Sequence, residues 1–254
     1  MAFIDYHYFS NTLQKQTAAY VLLPEVGTPP YPTLYLLHGY SDDHTIWLRR
    51  TSIERYAANL PAIIVMPDGG HGFYADAVEG YAFGKAIGEE LVDRIDRTFP
   101  TQATREGRVL AGLSMGGYGA LRLALNYPER FRAAHSLSGA VAYGHIAPSW
   151  SNDKKHLANF YRVVGEDHVG GPCDLFAQAL KNHEAGTLPS MRIDCGTEDF
   201  LIEDNRKFAA YLKEKKIPHE YEEFPGEHNW DYWDLHIQDA LKFLFPRNSP
   251  LSAP

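Results

Sequence analysis

Seven short apolar runs punctuate the chain, and most are followed by a stretch with helical periodicity. The runs are TAAYVLLP (17–24), TLYLLHG (33–39), AIIVMPDG (62–69), RVLAGLS (108–114), AAHSLSGA (133–140), MRIDCG (191–196) and HEYEEFPG (219–226). Helical patterns occupy 51–60, 88–99, 116–127, 175–185, 205–216 and 233–245. Strand and helix in alternation predict a mostly parallel sheet with helices on both faces, because parallel strands need crossover connections and are buried on both sides. No helical pattern separates the first two runs, which are expected to pair as an antiparallel edge. With 254 residues and 44% hydrophobic composition, the chain suffices for one large core, so a single domain spanning 1–254 is expected.

Residues 141–174 break the alternation. AYGHIAPSW and GEDHVGGPCD are rich in glycine, proline and aromatics, and the segment reads either as a small cap over a site or as a surface excursion with its own helix. Nothing repeats along the chain, and the tail PRNSPLSAP reads as a frayed end.

Composition removes several function classes. A formal net charge of −8 offers no field to attract nucleic acid or anionic lipid. No apolar stretch approaches the roughly 18–20 residues of a bilayer span, and MAFIDYHYFSNTLQKQ lacks a leader's basic start and apolar core. The expectation is a cytoplasmic chain that begins at Met1. Cys173 and Cys195 are too few for a disulfide scaffold, and the 12 histidines form no metal-binding spacing, so neither a metal nor a cofactor is expected. The sequence carries no signal on assembly; a homo-oligomer is compatible with it.

In open α/β sheets, ligands bind beyond the carboxyl ends of the strands, so polar residues just past those ends are where chemistry is sought. Gly112-Leu113-Ser114-Met115-Gly116 matches G-x-S-x-G and sits between a strand run and a helical pattern, where a nucleophile elbow needs it. A serine hydroxyl requires a general base, oriented in turn by a carboxylate. The expected chain order in this arrangement is Ser, acid, His. Asp199 lies beyond the 191–196 run, with Glu198 and Asp204 as competitors and Asp194 too deep in the strand. His228 follows the last run and is the expected base. Backbone N–H groups of Met115 and Tyr40 are the expected oxyanion donors, with His38 read as an anchor of the Tyr40 loop. Trp47, Phe73, Tyr74, Trp150, Phe200 and Trp230, with the Tyr40 ring, are expected either to wall an apolar substrate site or to belong to the core.

These residues resemble the esterase D-like α/β-hydrolases, a group that includes tributyrin-type esterases, feruloyl esterases and S-formylglutathione hydrolase. The likeness runs nearly end to end, through LLHGYSDDHTIWLRRTSIERYA, VMPDGGHGFYAD, GLSMGGYGALRLALNYPERF, GTEDFLIEDN and GEHNWDYWDLHIQDAL. It implies an α/β-hydrolase fold and a cofactor-free serine carboxylesterase, acting on short-chain or aromatic acyl esters through Ser114, Asp199 and His228. S-formylglutathione hydrolases typically carry histidines where Leu113 and Tyr118 stand here, and a serine and a cysteine around the HGYSDD turn, so the resemblance favours a general esterase over that thioesterase. A noncatalytic binding protein on the same scaffold would be expected to lack a member of the Ser, His, acid set, and none is missing.

Overall fold

A computed structural model describes residues 1–147 and 154–246. At its centre is an eight-stranded sheet, ordered β1-β2-β4-β3-β5-β6-β7-β8. The strands are β1 (Ala2–Ser10), β2 (Lys15–Leu23), β3 (Thr33–Leu37), β4 (Ile63–Pro67), β5 (Arg108–Leu113), β6 (Ala133–Leu137), β7 (Ser190–Gly196) and β8 (Glu220–Phe224). From β4 to β8 the neighbours are all parallel. This is the mostly parallel sheet expected from the alternation, and the α/β-hydrolase fold that the resemblance implies.

The antiparallel edge differs from the sequence expectation. β2 does not pair with β3; it pairs antiparallel with β4 on one side and with β1 on the other. Strand β1 went unread because it is an edge strand: Phe3, Asp5, His7 and Phe9 face outward, while Ile4, Tyr6 and Tyr8 turn toward the protein.

Period-two alternation divides the buried strand residues between two cores. Leu34 and Leu36 of β3, with Val109, Ala111 and Leu113 of β5, face α1 (Ile46–Arg50), α2 (Ile53–Tyr56) and α9 (Trp230–Leu244). Tyr35, Leu37 and Leu110 face the other helices. These begin with α3 (Phe83–Lys85), which continues through a π-helical stretch (Ala86–Leu91) into α4 (Val92–Thr98). On the same side lie α5 (Met115–Asn126), α6 (Lys154–Val164), α7 (Leu175–Ala185) and α8 (Ile202–Glu214). Helix α5 is buried from Met115 to Leu125 and so sits at the centre rather than on the surface. Helix α6 gives the 141–174 excursion its own helix, seated by Phe160, Val163 and Val164. Among the described residues no helix is long and apolar enough to cross a membrane.

Candidate active site

Four loops leave the carboxyl edge of the sheet after β3, β5, β7 and β8, and they carry Tyr40, Ser114, Asp199 and His228. Ser114 is held at φ 53°, ψ −117°, in the left-handed half of backbone space that side chains avoid. Three backbone hydrogen bonds hold that strain in place: Ser114 N–H donates to Leu137 O (2.9 Å), and Ser114 O accepts from Tyr118 and Ala140 N–H (3.1 Å each). The flanking glycines are required because the turn packs backbone on backbone. A Cβ on Gly112 would lie 2.4 Å from Gly116 O, and one on Gly116 would lie 2.4 Å from Leu37 O.

His228 Nε2 lies 2.9 Å from Ser114 Oγ, and its Nδ1 lies 2.8 Å from Asp199 Oδ2. An ionised carboxylate only accepts, which assigns the proton of the neutral ring to Nδ1 and leaves Nε2 to take the serine proton. Asp199 Oδ1 accepts Leu201 N–H at 2.8 Å, and Asp199 is 2% exposed. The His228 ring is packed by Phe200 at 4.4 Å and stands edge-on to Trp233 at 4.9 Å. Asn229, the next residue, caps α9 by accepting Tyr232 N–H.

The competing carboxylates are engaged elsewhere. Asp194 is fully buried and accepts from Tyr232 Oη and His135 Nε2. Glu198 accepts Gly226 N–H at 2.6 Å, which holds its carboxyl below the usual range. Asp204 lies in the first turn of α8 and pairs with Lys207.

Met115 opens α5 directly after Ser114, so its N–H is a first-turn donor with no partner inside the helix, at the positive end of the helix dipole. Gly39 passes close to Ser114, and Tyr40 follows it at the same cavity. That cavity holds about 440 Å³ and is lined mostly by apolar groups, with Ser114 and His228 exposed in its wall.

The expected aromatic wall divides. Phe200 and Trp230 line the cavity, as does Phe73. Trp47 and Tyr74 do not, which corrects their reading as substrate walls and leaves both in the core. Each is buried and spends its polar hydrogen on a main-chain carbonyl, Trp47 on Leu37 O (3.0 Å) and Tyr74 on His38 O (3.0 Å). Trp150 lies outside the described residues. Two aromatic lining residues were not anticipated. Trp233 was legible as the helical i+3 partner of Trp230, whereas nothing in the sequence marks His156, which α6 brings to the rim.

The family model "Esterase: Putative esterase" matches residues 10–244. The chain belongs to this esterase family. An acetyl esterase of Caldicellulosiruptor saccharolyticus is 33% identical over 96% of this chain and 98% of its own. Among solved structures, FphF, a fluorophosphonate-binding serine hydrolase of Staphylococcus aureus, matches with TM-score 0.85 and 32% identity over 96% of this chain and 98% of that one. S-formylglutathione hydrolase FrmB of the same organism matches with TM-score 0.84, identical sequence fraction and the same coverage. The esterase is therefore a serine hydrolase by descent, with esterase and thioesterase relatives at nearly equal identity.

Proposed function

We propose that this esterase hydrolyses carboxylic esters by double displacement, with Ser114 as nucleophile, His228 as general base and acid, and Asp199 as the carboxylate that orients the imidazole. Ser114 Oγ attacks the ester carbonyl as His228 Nε2 takes its proton. The tetrahedral oxyanion is held by the N–H groups of Met115 and Tyr40. His228 returns the proton to the departing alcohol, and water then cleaves the acyl-enzyme by the same route. The observation that carries this reading is the unbroken hydrogen-bonded line Ser114–His228–Asp199 opening on an apolar cavity. Short-chain and aromatic acyl groups suit those walls, which Phe73, Phe200, Trp230 and Trp233 supply.

The test is turnover of p-nitrophenyl acetate, tributyrin, methyl ferulate and S-formylglutathione by the wild type and by Ser114→Ala. Loss of about three orders of magnitude or more on esters is expected in the variant. Retention of most ester activity would refute the assignment of Ser114. FrmB's similarity makes the thioester a real competitor, and turnover of S-formylglutathione well above that of every ester would shift the substrate class to thioesters. A fluorophosphonate probe should label Ser114, and failure to label it would favour a noncatalytic role.

A further inference from the structure

The oxyanion donor Tyr40 N–H shares a peptide unit with Gly39 C=O. A trans peptide is planar, so that N–H points opposite to that carbonyl, and whatever fixes the carbonyl fixes the donor. Gly39 stands in a close-packed turn, where a Cβ would lie 2.7 Å from Leu113 Cδ1 and displace that side chain. Glycine is also the residue at which such a peptide turns over most cheaply. A turned peptide would aim the Gly39 carbonyl, rather than the Tyr40 N–H, toward Ser114. It would thus place negative partial charge where the oxyanion forms.

The structure supplies a clamp against this. His38 Nδ1 lies 2.7 Å from Gly39 O, and Asp42 N–H reaches the same oxygen at 3.3 Å. At the far side of the ring, Gly69 N–H donates to His38 Nε2 at 2.8 Å. A backbone N–H can only donate, and Asp68 Oδ1, at 3.6 Å from Nε2, lies beyond hydrogen-bond distance, so Nε2 is the acceptor and the proton of the neutral ring is on Nδ1, facing Gly39 O. The ring is buried at 1% exposure, and Tyr74 Oη donates to the His38 carbonyl at 3.0 Å.

We propose that His38 is a positioning residue for the ester reaction: neutral and protonated on Nδ1, it locks the Gly39–Tyr40 peptide with its N–H toward the oxyanion. The loop after β4, through Gly69, sets the tautomer that does this. The inference rests on the proposed roles of Ser114 and Tyr40.

Two substitutions separate the two ring nitrogens. His38→Asn keeps a donor near the Nδ1 position and loses the group facing Gly69; His38→Gln keeps an acceptor near the Nε2 position and loses the donor to Gly39. His38→Gln is expected to lose about 10²-fold in kcat on p-nitrophenyl acetate with KM changed by less than about threefold, since one oxyanion donor is misaimed. His38→Asn is expected to recover at least about tenfold of that loss. A His38→Gln kcat within about threefold of wild type, or equal losses in both variants, would overturn the proposal. Nitrogen-15 NMR of histidine-labelled wild-type protein reads the tautomer without any substitution, so the test survives a variant that fails to fold. Protonated Nδ1 with bare Nε2 at His38 is expected at neutral pH, and the opposite tautomer or an imidazolium overturns the clamp. Failure of the proposed function would appear separately, as ester hydrolysis that persists in Ser114→Ala.

Discussion

Tyr232 donates its hydroxyl to Asp194 Oδ1 at 2.8 Å, tying the first turn of α9 to the carboxyl end of β7. The loop bearing His228 enters that turn, and the loop bearing Asp199 leaves that strand end. Tyr232 also packs against Gly226, where a Cβ would lie 2.7 Å from its ring. The two loops are thus joined at their roots by a fully buried contact as well as at their tips by the imidazole.

Removing that hydroxyl leaves a buried carboxylate oxygen short of a donor. Tyr232→Phe should cost about 2 kcal/mol of stability, the scale for a hydrogen bond to a charged group. Urea unfolding measures this, and an unmoved midpoint would show that the bond does not brace the two loops.

Asp199 and its two competitors, Glu198 and Asp204, should behave very differently on substitution. Asp199→Asn presents an amide N–H₂ to His228 Nδ1, favouring the wrong tautomer, and should lower kcat on p-nitrophenyl butyrate by about 10³- to 10⁴-fold. Glu198→Gln and Asp204→Asn, whose side chains serve Gly226 N–H and Lys207, should stay within about tenfold of wild type. Comparable losses at Glu198 and Asp199 would remove the assignment of Asp199.

The contrast explains how far the sequence could be read. Ser114, Asp199 and His228 each stand just past a strand with a local signature, so chain order and turn residues were enough to nominate them. Strands β3 to β7 were legible as apolar runs buried on both faces, and β8, a half-exposed edge strand, by its position before the last turn. Strand β1 shows only half of such a run, because Phe3, Asp5, His7 and Phe9 face outward at a sheet edge. The partners of Trp47, Tyr74 and Asp194 are set by contacts far along the chain or by main-chain carbonyls, which no periodicity reports. Counting aromatics therefore could not distinguish Trp47 in the core from Trp230 at the cavity.

That distinction is measurable. Trp47→Phe strands Leu37 O in the core and should cost about 1–3 kcal/mol while leaving KM for p-nitrophenyl butyrate unchanged. Phe200, 59% exposed with its ring against His228, should show the reverse under Phe200→Ala. Stability should hold within about 0.5 kcal/mol while KM rises. A KM effect at Trp47 matching that at Phe200 would return Trp47 to the substrate wall.

Gly116→Ala tests the backbone contact beneath the nucleophile. Its new Cβ meets the Leu37 main chain, which cannot rotate aside as a side chain would. Overpacking of this kind costs about 1–3 kcal/mol, and relief by displacing α5 would move Ser114 from His228. Both the unfolding midpoint and kcat should fall, whereas a variant with wild-type values for both would mean that the elbow has room to spare.

Asp42 lines the cavity beside the Gly39 turn, and burial pushes its carboxyl above the usual carboxylate range, outweighing the help of the Gly39 N–H. A carboxyl with a raised folded-state value takes up a proton on folding. Stability therefore falls as pH rises from its unfolded value, about 3.9, through the folded one. Above that window the folded protein carries a half-buried charge that the unfolded chain solvates freely. Asp42→Asn removes the charge but keeps a carbonyl that can accept from Gly39. The variant should therefore unfold at higher urea than wild type at pH 7, and the gap should close as pH falls below about 4, where the wild-type carboxyl is protonated in both states. Urea midpoints across that range read the gap directly; a variant less stable than wild type at pH 7 would mean that the carboxylate's hydrogen bond to the turn outweighs its burial.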